Sequence, residues 1–218
     1  MDSGRLATSG PDADGPRRLG RAERRSALLD AAADLAAEGS PEAITMEAVA
    51  ERAGVSRPLV YRHFTNRDEL VAAVYQRETT HLHRRLTAEV SAAESLVGMF
   101  RALVHGALRA AAERGHLFAT LRSAGAWSPE VRREQRQRDT VTARAFAERA
   151  RRELGADGPA AGATTALLLS LVDPVLARWR HDPTPEHAAL LEESYMTIVS
   201  ASLTALAEGS GGRESTAS

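Results

Sequence analysis

The sequence predicts an all-α protein in which a small amino-terminal unit of three helices, carrying a helix-turn-helix, is joined to a larger helical bundle, about nine helices in all. Three observations carry that reading. Of 218 residues, 43% are apolar but only 4% aromatic, a composition that builds cores from Ala, Leu and Val and suits packed helices. Apolar residues recur at helical spacing along most of the chain, and no stretch reads convincingly as a strand. Stop signals such as Gly39, Gly54, Gly115 and Gly155 follow those periodic stretches at helix-like distances.

Residues 1 to 20 contain arginines but no apolar segment, so they read as a disordered polar arm and not as an export signal. The first helix is expected over residues 21 to 38, with Leu28, Ala32 and Leu35 facing inward and Gly39 ending it. Asn66, with Glu69 three residues on, has the form of a capping box and launches a long helix to about residue 90. A second box, Ser91 with Glu94, opens a helix that ends near Gly115; residues 116 to 124 form a short helical piece. Ser128 and Pro129 open the next helix, through Phe146 to Gly155. Residues 160 to 180 are apolar nearly all round and are expected to be covered on more than one side. Within them, Pro174 deprives the Ser170 carbonyl of its helical partner and predicts a kink. Thr184 and Pro185 start a last helix bearing Leu191, Tyr195, Ile198, Val199 and Leu206, and residues 209 to 218 read as a disordered tail.

The most informative stretch is residues 45 to 70, TMEAVAERAGVSRPLVYRHFTNRDEL. Ala48, Val49, Ala53 and Val55 give a small apolar face, Gly54 stops one helix, and Ser56 is placed to cap the next by accepting from a free backbone N–H. Pro58 falls in the first turn of that second helix, where its missing N–H costs little, while Val60 and Phe64 pack it inward at i and i+4. Arg57, Leu59, Tyr61, Arg62 and His63 are left on its other faces. This is the pattern of a helix whose leading side chains enter a DNA groove.

Composition excludes several alternatives. With no cysteine there is no disulfide, thiolate metal site or cysteine nucleophile. No apolar run is expected to reach the roughly 18 residues of a membrane span, so the chain is expected to be cytoplasmic, with no membrane partner. The net charge of −1 argues against a protein that coats nucleic acid indiscriminately. The charge is unevenly placed, however: Arg17, Arg18, Arg21, Arg24 and Arg25 face Glu23 alone just ahead of the helix-turn-helix. No glycine-rich phosphate loop, nucleophile elbow or HExxH occurs, so an enzyme is the least favoured reading, and neither cofactor nor metal is expected. His81 and His83, two apart on a helix, point to different faces. The cluster Arg132, Arg133, Arg136 and Arg138 reads as a solvated face.

With Thr45, Ala50, Ala53-Gly54-Val55-Ser56, Tyr61, His63-Phe64 and Leu70 in place, the sequence resembles the tetracycline-repressor (TetR) family of bacterial transcriptional regulators. The resemblance is dense over residues 21 to 70 and architectural beyond residue 75. It implies a DNA-binding domain at residues 21 to 66 and an effector-binding and dimerisation domain at residues 67 to 208. It also implies a homodimer whose last two helices pair with their symmetry mates, and a small-molecule effector that spreads the two reading heads. Arg67 stands where the family usually has lysine, and Arg57-Pro58-Leu59 occupies the most variable part of the reading helix, so no relative's operator transfers.

The expected DNA-contacting residues are Thr45, Ser56, Arg57, Pro58, Leu59, Tyr61, His63 and Arg67. Arg57 is the base reader, since arginine donates two bonds to guanine O6 and N7, and Leu59 can meet a thymine methyl. Thr45, Ser56, Tyr61, His63 and Arg67 bind phosphates and hold the register of a double-stranded operator, and the arm around Arg17 and Arg21 reaches a minor groove or strengthens association. The bland alternatives are a helix-end His63 with a satisfied ring and a Tyr61 that lends its ring to packing. Candidate effector contacts are Phe118, Arg122, Trp127, Phe146 and Asp173, aromatic or ionisable groups near apolar faces, with ordinary core packing as the competing reading for each. For Asp173 the rival role, preferred over contact with a ligand amine, is a structural ion pair to Arg178 or Arg180 across the dimer. A dimeric repressor released by a small ligand is therefore expected; the alternative is a DNA-bound interaction protein that works without a ligand through a protein partner.

Overall fold

A computed structural model describes residues 20–125 and 129–214, with side chains to residue 209. The described residues are helical with short connections: α1 Arg21–Ala37, a 3₁₀ turn Pro41–Ala43, α2 Met46–Arg52, α3 Arg57–His63, α4 Arg67–Ser91, α5 Leu96–Arg114, α6 Leu117–Ser123, α7 Pro129–Leu154, α8 Gly158–Ser170, α9 Val172–Trp179 and α10 Pro185–Glu214. The chain is all-α, as the sequence predicts; α8 and α9 abut at Leu171 and run as one interrupted rod.

The apolar periodicity of α1 buries Leu28, Ala32 and Leu35, and Gly39 leaves the helix with φ 95°. The caps differ from expectation at three places. Thr45 caps α2, its Oγ1 accepting from Ala48 N at 3.0 Å, whereas Ser56 makes no capping bond to α3. Asn66 Oδ1 accepts from Glu69 N at 2.8 Å as expected, but the Glu69 carboxylate accepts from Thr65 N at 2.7 Å. That bond holds the Glu69 carboxyl below the usual range. Ser91 closes α4, and Ser95 caps α5 by accepting from Gly98 N at 3.0 Å. An N-cap needs extended backbone, which Ser95 has (φ −136°, ψ 161°) and a residue still inside α4 does not. The expected cap Ser128 lies outside the described residues.

Two apolar clusters organise the molecule. The first joins α1, α2, α3 and the start of α4, and extends to Leu117, Leu121 and Ala124 at α6 and Val131 of α7. The second joins α5, α7, α8, α9 and α10, with the Phe100 ring tilted 60° against Phe146 at 4.7 Å and edge-on at 6.5 Å to Tyr195. The Tyr195 hydroxyl donates to Leu168 O at 3.1 Å, and burial pushes its phenol far up. Between the clusters, Glu78 is only 3% exposed; it accepts from Arg77 at 2.7 Å and pairs with Arg114 at 3.5 Å. Arg77 also reaches Asp30 of α1 at 2.7 Å, so one charged chain ties α1, α4 and α5.

The rod Gly158–Trp179, at 22 residues, is long and apolar enough to cross a membrane by length and composition, contrary to the expectation that no run reaches that size. Asp173, Pro174 and Arg178 interrupt its sequence without lowering the average enough. Within one chain it is not covered on several sides either: Leu167 is 69% exposed. Finally, α10 runs on to Glu214, so part of the stretch read as a tail is helical.

Candidate nucleic-acid interface

The geometry of the α2-turn-α3 segment follows from a few residues. Gly54 takes φ 64°, where a Cβ would be strained, and Val55 N returns to Ala50 O at 2.9 Å, reversing the chain in four residues. Val60 and Phe64 are fully buried, and the Arg25 guanidinium lies over the Phe64 ring at 4.8 Å. With that inner face anchored, Ser56, Arg57, Pro58, Tyr61 and Arg62 are exposed on the opposite side, with Leu59 and His63 half-buried. Tyr61 keeps half its surface exposed, so it does not serve as core.

Arg57 is not idle in the free protein. It pairs with Glu47 of α2, and both partners are exposed. No local pattern in the sequence signals this, because the two sit ten residues apart across a turn. Thr45 accepts one bond with its hydroxyl oxygen at the α2 cap, which leaves its O–H as a donor. Beside α3, Arg21 and Arg24 of α1 line a concavity of about 450 Å³ together with Leu59, Arg62 and His63. Burial and the charges of Arg21, Arg62, Arg25 and Arg24 hold the His63 ring below its ordinary pKa.

Arg67, expected as a phosphate contact, is placed differently. Its Nε donates to Ile44 O at 2.7 Å, Nη2 to Pro41 O at 2.7 Å and Nη1 to Ala124 O at 2.9 Å. All three NH-bearing nitrogens are thereby committed to backbone carbonyls, and the side chain staples the end of α6 to the α1–α2 connection. A lysine could not span three acceptors in this way.

The candidate effector residues do not form one site. Phe146 is core, against Phe100, and Phe118 packs on the first apolar cluster. Trp127 lies outside the described residues. Arg122 and Asp173 do come together around Tyr75 and Arg180: the buried Tyr75 phenol is pushed up by desolvation while the Arg122 guanidinium, bonded to it, pulls the other way. Arg180 is held below the usual arginine range by burial and by Arg122, with Asp173 opposing. Within one chain, no ion pair of Asp173 with Arg178 or Arg180 falls within 4 Å among the described residues; the expected pair lies across a dimer. No group of three metal-ligating side chains converges among them. Arg138 is less detached than a purely solvated residue, reaching Glu134 at 3.6 Å and Thr79 at 3.4 Å.

A rigidly backed, exposed α3 beside a cationic flank, on an all-α chain with a separate helical core, defines a helix-turn-helix protein with an attached helical bundle. Residues 28–74 match the family described as bacterial regulatory proteins, tetR family. It is 45% identical over 65 residues, 30% of each chain, to the HTH-type transcriptional activator FasR of Mycolicibacterium smegmatis. It is 44% identical over 73 residues, 34% of this chain and 39% of the other, to an HTH-type transcriptional repressor of Mycobacterium tuberculosis. These matches thus span about a third of the relatives' length. A solved transcriptional regulator from Rhodococcus sp. RHA1 superposes with a TM-score of 0.65 at 25% identity, covering 85% of this chain and 96% of that one.

Proposed function

We propose that the protein is a dimeric, sequence-specific DNA-binding transcriptional regulator of the cytoplasm that represses from its operator until a small molecule releases it. The observation that carries DNA reading is the division of labour on α3: Val60 and Phe64 are fully buried, while Arg57 and Tyr61 stand exposed on the opposite side. A polar face held that rigidly loses little conformational entropy on binding. Arg57 reads a guanine, Leu59 meets a base-edge methyl, and Pro58 fixes the start of the helix; Thr45, Ser56, Tyr61 and His63 bind phosphates. Arg67 acts from behind, as a staple.

Dimerisation is supported by the uncovered apolar surface of α8 and α10, where Leu167, Leu190 and Ile198 are all exposed. Isolated apolar residues need no explanation, but a greasy rod flanked by a second exposed apolar helix does. Release by a ligand is supported by the half-buried Arg122 and Arg180 and the exposed Asp173 around Tyr75, between α4, α6 and α9. A ligand that prefers one arrangement of these helices shifts the spacing of the two heads. Repression is the direction proposed from the family resemblance; the two relatives named above are one activator and one repressor.

The test is selection from a random duplex library followed by Arg57→Ala. Binding to the selected duplex should fall by about 1 to 3 kcal/mol, roughly 5- to 150-fold, with preference lost at one base pair and random duplex little affected. Equal losses on selected and random DNA overturn base reading by Arg57. A thermal-shift screen for compounds that also dissociate the selected duplex tests release; a bundle that takes up none favours action through a protein partner, a reading the tight Phe100–Phe146–Tyr195 packing also supports.

A further inference from the structure

The flank of the reading helix carries more than the motif requires. The first turns of α1 and the last turn of α3 face one another across the concavity lined by Arg21, Arg24, Leu59, Arg62 and His63. Three guanidinium groups converge there, and among the described residues no carboxylate lines it. The nearby acids are engaged elsewhere: Glu23 accepts from Gly20 N at 2.6 Å, Glu69 accepts from Thr65 N at 2.7 Å, and Glu47 holds Arg57. Arg25, just outside the lining, lies over Phe64.

Most other arginines of the head have partners. Arg52 pairs with Glu38 at 2.7 Å, Arg77 with Asp30 and Glu78, and Arg67 with three carbonyls. Arg21 and Arg62, by contrast, have neither an ion pair nor a hydrogen bond among the described residues, and neither ring nitrogen of His63 has a hydrogen bond there. The like charges of Arg21 and Arg62 repel one another in the free protein, and an anion entering the concavity relieves that repulsion. When the start of a reading helix lies in the major groove, its flanks face the sugar-phosphate strands, where more than half of a protein's hydrogen bonds to DNA are made. Leu59 belongs both to that reading face and to the concavity, which puts the concavity at the groove's edge.

Resting on the DNA-binding reading above, we propose that this concavity seats one phosphodiester of the duplex, gripped by Arg21, Arg24 and Arg62, and that His63 joins the grip as an imidazolium, so that the protein takes up a proton as it binds DNA. The charged groups facing the His63 ring are Arg21, Arg24 and Arg25 from α1 and Arg62 from its own helix. With these around it, and partly desolvated, the ring favours the neutral form in the free protein. A phosphate in the concavity reverses the local sign and raises its proton affinity. The sign of the linkage follows: the bound state holds more protons, so affinity rises as pH falls through the bound-state pKa and levels off below the free-state pKa, which lies under the ordinary 6.5.

The experiment uses the full chain with a fluorescent random-sequence duplex and with a duplex chosen by selection. Arg62→Ala and Arg21→Ala should each lower the slope of log affinity against log salt by about one on both duplexes, because a phosphate contact is independent of sequence. Across roughly pH 5 to 8, wild-type affinity should rise toward low pH by up to about tenfold per unit and per subunit. His63→Gln should hold the high-pH affinity throughout, while its unfolding temperature reports that it is folded. Titration calorimetry in two buffers of different ionisation enthalpy should show proton uptake for wild type and its loss in His63→Gln. An unchanged salt slope in Arg62→Ala, or retained pH dependence in His63→Gln, overturns the seat while leaving DNA binding intact. Displacement of the duplex by inorganic phosphate at constant ionic strength makes this a free-anion site and also overturns it. A wild-type chain that binds no duplex at any pH overturns the DNA reading itself.

Discussion

Replacing Arg67 with alanine removes a guanidinium that donates to the carbonyls of Ile44, Pro41 and Ala124 at 2.7, 2.7 and 2.9 Å. A hydrogen bond to a charged group contributes about 1.5 to 3 kcal/mol. Three such bonds do not add in full here, for two structural reasons. The side chain is 33% exposed, so water reaches the freed carbonyls, and Pro41 O retains a bond from Ile44 N at 3.4 Å. The expected loss is therefore about 3 kcal/mol, which for a chain of this size lowers the unfolding temperature by roughly 6 to 12 °C. Circular dichroism during heating and urea titration measure it. Below the unfolding range, the salt dependence of duplex binding should match wild type, because a staple neutralises no phosphate. Arg67→Lys keeps the charge but not the fork and should recover less than half of the lost stability. A variant that unfolds within a degree of wild type while its salt slope drops by about 0.9 would show that Arg67 binds phosphate after all, and the staple account would be wrong.

Glu47→Gln should leave stability within about 1 kcal/mol, since the Arg57 pair is solvent-exposed, and should tighten duplex binding a few-fold by freeing Arg57; weaker binding by anisotropy would mean that the carboxylate orients its partner. Arg77→Met leaves the buried Glu78 with only the longer contact to Arg114 and should cost about 3 kcal/mol in urea unfolding, whereas a neutral result would show the site is wetter than its burial implies. Leu167→Glu should convert the proposed dimer to monomer in sedimentation without melting the subunit, because that residue is 69% exposed in its own chain; a dimer that persists rules out α8 as the interface. Gly54→Ala forces a Cβ into the left-handed region and should destabilise by about 1 to 2 kcal/mol in thermal unfolding.

What the sequence discloses is what short range determines. Spacings of three and four place Leu28, Ala32, Leu35, Val60 and Phe64 inside, and Gly39 and Gly54 end their helices by needing a conformation that other residues avoid. Choices between equivalent local signals are made at long range. Ser91 and Ser95 both suit a cap, but Glu153 accepts from Leu96 N at 2.8 Å and Arg149 donates to Glu94 O, and both come from α7, more than fifty residues away. Arg67 reads as a phosphate ligand because a cation at a helix start offers no clue that carbonyls 23, 26 and 57 residues distant will surround it. The aromatic candidates misled for a related reason: Phe146 and Phe118 serve packing, and periodicity alone does not distinguish a filled interior from a cavity. Arg62 and Arg24 were visible as charges, but only folding brings α1 against the end of α3.

The apolar interior beneath the reading helix is not closed by the first four helices; Leu117, Leu121, Ala124 and Val131 complete it. A fragment cut after residue 66 would expose that seam and, at under fifty ordered residues, would have too little interior of its own to stay folded. The head therefore cannot be transplanted like a cassette. A working chimera between this protein and another of the same architecture has to carry α6 and the beginning of α7 along with the helix-turn-helix, or rebuild the seam with side chains of matching shape.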